Sequence, residues 1–435
     1  MELIEKLKEK NVRFIQMWFT NIVGNAKSFS IPVDEFEDAI NNGKGFDGSS
    51  IEGFTRIQES DMVAKPDIDT LQVFPWKDDN RVARVFCDIY NPDGTPYEGD
   101  PRYILKKNLK IAEDKGFTYY VGPEVEYFYF TSPKRTEVLD KGGYFDLTPP
   151  DIGDELRRKT IVALESMGIG VEYSHHEVGP SQHEIDLKYS EALRMADNVI
   201  TYKYIVKKIA QQAGYFASFM PKPLFGENGS GMHTHQSLFK GDKNVFFSEE
   251  PPYYLSPLAK KFIAGLLHYS KEITFITNQW VNSYKRLVPG YEAPVYVSWA
   301  CRNRSTLLRV PQYKPGKESA TRIEYRSPDP AANPYFAFAV MLRAGLAGIE
   351  NDFELPPPVE ENIFEFTEEK LKKRNIELLP GSLIEAIKEA EKSKLIRDTL
   401  GEATFFKLLE NKEKIWNKYR GLITSYEIEN DLPVM

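Results

Sequence analysis

The chain has 435 residues and a mass of 50.0 kDa, more than one hydrophobic core usually serves, so two domains are expected. Its 41% hydrophobic, 28% charged and 13% aromatic residues exclude a disordered chain, and the net charge of -8 argues against nucleic acid as the main partner. The longest apolar run, Phe336 to Ile349, carries Arg343 and is too short to span a bilayer, so no membrane role is expected. Cys87 and Cys301 lie far apart in apolar contexts, which favours a reducing compartment and a cytoplasmic location.

Met1 to Lys8 reads as a short charged amphipathic helix, not a signal peptide. Val12 to Thr20 and Ala26 to Val33 are strand-like around Asn21 to Asn25, which predicts a hairpin, and a short helix follows from about Asp34 to Asn41. Gly43 to Phe54, with Phe46-Asp47-Gly48-Ser49-Ser50, reads by itself as a surface turn. Leu71 to Phe74 and Arg81 to Ile89 are further strands of this first unit, residues 1–100. Asp100-Pro101 starts a helix that Gly116 stops, and residues 101–435 form the second unit.

In that unit Gly122 to Phe130 reads as a strand with Glu124, Glu126, Phe128 and Phe130 on one face, the carboxylates about 7 Å apart. Two such acids beside an aromatic run need water or cations; alone, the pattern suits an edge strand with a solvated acidic face. A helix over about 151–167 precedes a hairpin, Val171 to Glu177 and Gln182 to Asp186, with a carboxylate on each arm. A long helix runs from about Ser190 to Gln212. The Gly-rich stretch Lys222 to Gly231 then turns into a strand from which His233 and His235 project together. Helices are expected over about 255–268 and much of 270–284, strands near 295–299, 306–310 and 322–326, and a helical C-terminal part in which Ser382 is a cap.

Glu124, Glu126, Glu177 and Glu184 on adjacent strands are what Mg²⁺ or Mn²⁺ would require, and His233 adds a nitrogen. Five of the six histidines fall between 175 and 235, where the acids are concentrated. Arg286, Arg302, Arg304, Arg309, Arg322 and Arg326 follow, with Glu324 between the last two on one strand face, a set suited to phosphate or carboxylate oxygens. Metals, arginines and a Gly-Ser-Gly loop describe phosphoryl transfer, and without a Walker A sequence a nucleotide must be held in another way.

These residues resemble the type I glutamine synthetases over nearly the whole chain. The signatures are Phe46 to Ser50, Glu124-Val125-Glu126, His175-His176-Glu177, Lys222-Pro223 through Ser237, Arg286 to Pro294 and Arg322 to Arg326. The resemblance implies an α+β protein with a small N-terminal beta-grasp domain and a large catalytic domain built on a curved antiparallel sheet and surrounding helices. It implies ATP-dependent ligation of ammonium to glutamate in a cytoplasmic dodecamer of two hexameric rings, with active sites between subunits. By the same resemblance Glu126, Glu177 and Glu184 hold one metal and Glu124, His233 and Glu324 the other. Glu172, His235, Ser237, Arg309 and Arg322 match positions near ATP, and Gly229, Arg286 and Arg326 positions for glutamate. Arg304 matches a residue that stabilises the transferring phosphoryl group. Asp47 from a neighbouring subunit and Glu292 on a flap match residues that hold and deprotonate ammonium, and Ser50 and Tyr144 line that end.

Phe364 stands where one subdivision carries an adenylylated tyrosine, so that control is chemically excluded, and the chain resembles the alpha subdivision. There Arg56 matches a position linked to glutamine feedback, and regulatory proteins are conceivable partners. Ligation of another amine, a non-catalytic structural member of the fold, and a glycoside hydrolase using paired carboxylates are the alternatives. The last leaves the arginines and the Gly-Ser-Gly loop without a role.

Overall fold

The computed structural model describes residues 2–51, 53, 61–76, 81–147, 152–291, 293–301 and 303–435. Its first unit comprises α1 (Glu2–Glu9), β1 (Val12–Thr20), β2 (Ala26–Pro32), α2 (Phe36–Asn42), β3 (Lys44–Asp47), β4 (Asp61–Pro66), β5 (Gln72–Val73) and β6 (Arg81–Tyr90). The strands form one sheet in the order β2-β1-β6-β4-β3, with β5 also paired to β6; β1 and β6 run parallel and the other pairs antiparallel. Alternation along β1 and β6 turns Ile15, Met17, Phe19, Val85, Cys87 and Ile89 inward against Phe36 and Ala39 of α2.

One expectation is corrected here. The start of the stretch read as a surface turn is strand β3, paired with β4, which the sequence pattern did not announce. Lys-Gly-Phe-Asp lacks β-branched residues, and its pairing depends on Phe46 packing against Phe19 and Phe29 of distant strands. The β1–β2 turn forms as expected. Gly24 takes φ +81° there, and a Cβ on it would lie 2.7 Å from Asn333 Cα, so only glycine lets this turn press against the second unit.

After the strands of the first sheet comes α3 (Pro101–Asp114). Asp100 caps it by accepting from the Arg102 amide, and Pro101 occupies the first turn. Then come β7 (Thr118–Ser132), β8 (Arg135–Val138), α4 (Ile152–Ser166), β9 (Val171–His176), β10 (Gln182–Leu187), β11 (Ser190–Glu191), α5 (Ala192–Gln212), β12 (Phe216–Ser218), β13 (Met232–Lys240) and β14 (Lys243–Asn244). They are followed by α6 (Pro257–His268), α7 (Ser270–Thr277), α8 (Ser283–Arg286), β15 (Trp299–Ala300), β16 (Leu308–Arg309), β17 (Ile323–Tyr325) and α9 (Pro334–Glu350). Helices α10 (Glu368–Lys373), α11 (Leu383–Lys392), α12 (Lys394–Leu400), α13 (Glu402–Tyr419) and α14 (Ser425–Asn430) complete the chain, and Ser382 caps α11.

The second sheet runs β15-β16-β17-β13-β7-β10-β9 and is antiparallel except for the parallel β15–β16 pair. The Glu-x-Glu strand β7 is therefore central, flanked by β13 and β10, and is not an edge strand. Its odd-numbered side chains, Val121, Val125, Tyr127 and Tyr129, join the helical core, where the Tyr202 hydroxyl of α5 donates to Val125 O at 2.9 Å. Its even-numbered side chains carry the acids on the other face. The stretch expected to be helical over much of 270–284 is interrupted after Thr277, where the Asn278 side-chain amide donates to Ser327 O (2.7 Å) and Asp329 Oδ2 (3.0 Å). The strands expected at 295–299 and 306–310 shorten to the two-residue β15 and β16. The apolar run 336–349 lies within α9, buried on nearly all sides, and no helix among the described residues is long and apolar enough to cross a membrane.

Candidate active site

Sheet register assembles the site. In antiparallel strands, directly opposed residues share a face, so each pair below points the same way. Glu126 of β7 stands opposite Glu184 of β10, which stands opposite His175 of β9. One step along, His233 of β13 stands opposite Glu124, and Glu124 opposite Asp186. Beside them, His235 of β13 faces Glu324 of β17, which faces Arg309 of β16. Glu177 follows directly on β9. Glu124, Glu126, Glu177, Glu184, His233 and Glu324 are thereby brought together from four strands and one strand end.

The distances bear this out. His233 Nδ1 lies 3.5 Å from both Glu124 Oε2 and Glu324 Oε1, and its Nε2 lies 3.8 Å from Glu126 Oε1. His175 lies 3.6 Å from Glu177 and 4.0 Å from Glu184. His235 is committed on both sides: Arg322 Nε donates to its Nδ1 (3.2 Å), so its Nε2 carries the proton donated to Glu124 Oε1 (2.8 Å). Of the two imidazoles on β13, His233 is the one with a nitrogen to offer.

Burial is the main electrostatic fact. It pushes Glu126 up to about 7, with Glu124 adding repulsion, and Glu177 up to about 7, with Glu126 adding to it. Glu184 is also raised, by burial and then by Asp186. Glu324 is the opposite case: burial opposes its ionisation, but Arg326 and Arg309 outweigh that and hold it at about 2. Arg326 Nη1 reaches Glu324 Oε1 at 2.5 Å, and Arg309 Nε donates to Oε2. Burial, then Arg326, lowers His233 to about 4, so its imidazole is neutral and keeps a lone pair for a metal. Clustered carboxylates that resist ionisation beside one neutral imidazole are a donor set that fits hard divalent cations.

The Gly-Ser-Gly loop closes one side. A Cβ on Gly229 would lie 2.4 Å from Pro221 O, so no side chain fits there, and one on Gly231 would lie 2.6 Å from His233 Nε2 and displace that imidazole. The acids open into a cavity of about 360 Å³ that also receives Tyr144, Gly229, Arg286, Arg304, Arg309 and Arg326. An adjoining cavity of about 210 Å³ shares Glu124 and Tyr173 and is lined by Glu172, His235, Ser237 and Arg322 together with Tyr120 and Tyr189. Arg286 is less free than its sequence context suggests: its guanidinium donates to Ser327 O (2.6 Å), Pro328 O (3.3 Å) and Arg326 O (3.2 Å). Asp47 and Ser50 are exposed and line neither cavity, and Asp47 accepts from the Ser49 amide at 2.8 Å. Glu292, Arg302 and Arg56 lie outside the described residues.

Residues 11–92 match the model of the glutamine synthetase beta-grasp domain, and residues 98–431 match that of the glutamine synthetase catalytic domain. The chain belongs to the glutamine synthetase family. It is 51% identical to a glutamine synthetase of Thermotoga maritima, with 99% of each chain covered. It is 50% identical to one of Methanosarcina mazei, over 100% of this chain and 98% of that protein. Among solved structures it resembles GmaS in complex with ADP, at TM-score 0.88 and 30% identity over 99% of each chain. It also resembles the glutamine synthetase of Plasmodium falciparum, at TM-score 0.87 and 27% identity over 99% of this chain and 98% of that one.

Within this glutamine synthetase fold, the structure adds supporting residues that the sequence reading missed. Gln182 Nε2 donates to Glu126 Oε2 (2.9 Å) and to Gly229 O (3.1 Å), and the Gly231 amide donates to the same carboxylate oxygen (3.0 Å). His176 bridges Glu177 O (2.6 Å) and Asp140 Oδ1 (2.7 Å), which holds the backbone that carries Glu177. Strand alternation was the available signal for Gln182, two residues before Glu184 and on its face. Nothing local points to Asp140, whose loop reaches His176 only in the folded chain.

Proposed function

We infer that this chain is a glutamate–ammonia ligase, joining ammonium to L-glutamate with cleavage of ATP to ADP and phosphate through γ-glutamyl phosphate. The observation that carries this reading is the convergence of five glutamates and one neutral imidazole beside an arginine-lined cavity, in a chain matched to glutamine synthetases along its length. Glu126, Glu177 and Glu184 would hold one divalent ion and Glu124, His233 and Glu324 a second, with Mg²⁺ or Mn²⁺ suited to these oxygen-rich sets. Such ions, when bound, withdraw charge from the phosphoryl oxygens of ATP.

The chain's own residues do the rest. Glu172, His235, Ser237, Arg309 and Arg322 receive the nucleotide, the first three and Arg322 from the smaller cavity. Arg326, Arg286 and Gly229 orient glutamate in the larger one, with Tyr144 at its ammonium end and Ser50 reaching that end from a neighbouring copy. Arg304 neutralises the phosphoryl group in transit, which makes the glutamate side chain an acyl phosphate and hence an electrophile. Asp47 draws in ammonium and Glu292 takes its proton, while the Glu292 flap keeps water from the intermediate. Exposure of Asp47 and Ser50 away from the chain's own cavities supports a site completed by a neighbouring copy, and we assign the chain to a dodecamer of two hexameric rings. A division at Asp100, membership of the alpha subdivision, glutamine feedback through Arg56, cytoplasmic location and binding of regulatory proteins belong to the same reading.

The test is phosphate release from ATP with Mg²⁺, adding glutamate and ammonium separately and together. Phosphate in amounts matching glutamine, and only with both present, is the expected result; equal release with a polyamine in place of ammonium would overturn the choice of amine. The variant Glu292→Ala should still bind ATP and glutamate but lose amide synthesis, and unchanged turnover would remove the assignment of that residue.

A further inference from the structure

A third cavity, of about 710 Å³, shares no lining residue with the two described above. It lies where the β1–β2 turn (Val23, Gly24, Asn25) meets α5, β12 and the segment Trp280-Val281-Asn282. Its walls are largely apolar, yet α5 sends two lysines into it, Lys203 and Lys207, one helical turn apart. Their ammonium groups lie 6.0 and 5.6 Å from the centre of the same ring, Phe219. Like charges gathered over one ring repel each other, and among the described residues no carboxylate pairs with either.

Lys203 donates only one long bond, 3.5 Å to Ala332 O, which leaves most of its donor capacity unused. Burial, then Lys207, lowers this amine to about 7, and the opposing influence of Asp329 is not enough to restore it. Asp329 is itself occupied, accepting from the Asn278 side chain and the Ala331 amide, both at 3.0 Å. Lys207 is lowered in the same direction by burial, although the residue as a whole is exposed. The cavity therefore combines ligand-sized volume and aromatic walls with two amines that no carboxylate pairs with among the described residues, and an anion bound between them would favour their charged forms.

We propose that this cavity is an anion-binding site, separate from the catalytic one, that takes a small metabolite whose phosphate or carboxylate oxygens sit between Lys203 and Lys207. Lysines act there as point charges, and the aromatic walls accept the remainder of the molecule. The site adjoins the catalytic loop through Asn282, whose side chain accepts from the Lys222 amide (2.7 Å) and donates to Lys222 O (3.0 Å).

The experiment is peptide-resolved acetylation of the full-length assembled protein by a dilute acylating reagent at neutral pH. Inorganic phosphate, citrate and chloride are compared at equal ionic strength, and mass spectrometry follows each lysine. Phosphate or citrate should slow labelling of Lys203 and Lys207 by about five-fold relative to chloride, the factor expected at four times the dissociation constant. Exposed Lys392 should label equally in all three. Protection by phosphate alone assigns a phosphate ligand, and protection by citrate alone a carboxylate one. In Lys207→Met, protection of Lys203 should fall below half of its original factor. Equal labelling of Lys203 in the three salts overturns the proposal, as does protection of Lys203 that Lys207→Met leaves intact. It is also overturned if Lys203 is already shielded in chloride and becomes reactive only on dissociation, because an acidic segment of a second copy then fills the cavity.

Discussion

Replacing Gln182 by leucine keeps nearly the same volume at a buried strand position and removes a single amide. That amide donates to Glu126 Oε2 at 2.9 Å, and with the Gly231 amide at 3.0 Å it fixes one oxygen of the carboxylate. The other oxygen, 3.8 Å from His233 Nε2, is left toward the cavity. Glu126 already sits at about 7 because of burial, so losing a donor disfavours its ionised form further. A hydrogen bond to a charged group contributes about 1.5–3 kcal/mol. At about 1.4 kcal/mol per tenfold, Gln182→Leu should weaken divalent-metal binding by roughly 10- to 150-fold. The assay is the Mn²⁺ concentration giving half-maximal phosphate release at saturating substrates, paired with calorimetric Mn²⁺ titration of the same variant. A thermal melt shows whether the fold survives. An unchanged Mn²⁺ midpoint in a folded variant would refute the idea that Gln182 aims Glu126 at a metal.

Arg102 is 3% exposed and pairs with Asp67 and Asp88, both at 2.6 Å, and with Asp197 at 3.0 Å; Arg102→Met should therefore lower stability by about 3–5 kcal/mol in denaturant unfolding. Asp100 is raised to about 7 by burial and by Asp88, above its unfolded value. Its contribution to stability is thus full below about pH 4 and is lost as pH rises through 7. The stability of the wild type relative to Asp100→Asn, which keeps the helix cap, should fall over that range by at most roughly 4 kcal/mol, read by denaturant unfolding at each pH. Helices α6 and α9 touch backbone to backbone, and a Cβ on Gly348 would lie 2.1 Å from Lys261 O and 2.6 Å from Gly265 N. Gly348→Ala should cost about 1–3 kcal/mol in a thermal melt and leave the Mn²⁺ midpoint of the surviving enzyme unaltered.

Local chemistry made much of this protein legible. Side-chain alternation is a property of extended backbone, so Glu124 and Glu126 share a face wherever their strand lies. Asp100-Pro101 and Ser382 begin helices because their side chains or rings satisfy orphan amides within the next few residues. The β9–β10 hairpin followed from the same short-range rules, and the order of the Glu, His and Arg motifs was enough to suggest the chemistry. Where partners lay far along the chain, the pattern misled. β3 depends on aromatic contacts of Phe46 with β1 and β2, and the segment after Thr277 is held by carbonyl and carboxylate oxygens near residue 328.

From its residues alone the chain determined which groups were available: hard oxygen donors, two imidazoles on one strand face, and a run of guanidiniums. Only the folded sheet decided how they are shared. Register set His233 against Glu124 and His235 against Glu324, pairs more than 80 positions apart. That register left His233 with a free nitrogen and tied His235 to Arg322 and Glu124. The same packing turned the Arg286 guanidinium onto backbone carbonyls and left Lys203 and Lys207 without a carboxylate partner among the described residues. A side chain's chemistry is local, but its charge state and its free valences depend on burial and on neighbours that only the tertiary structure supplies.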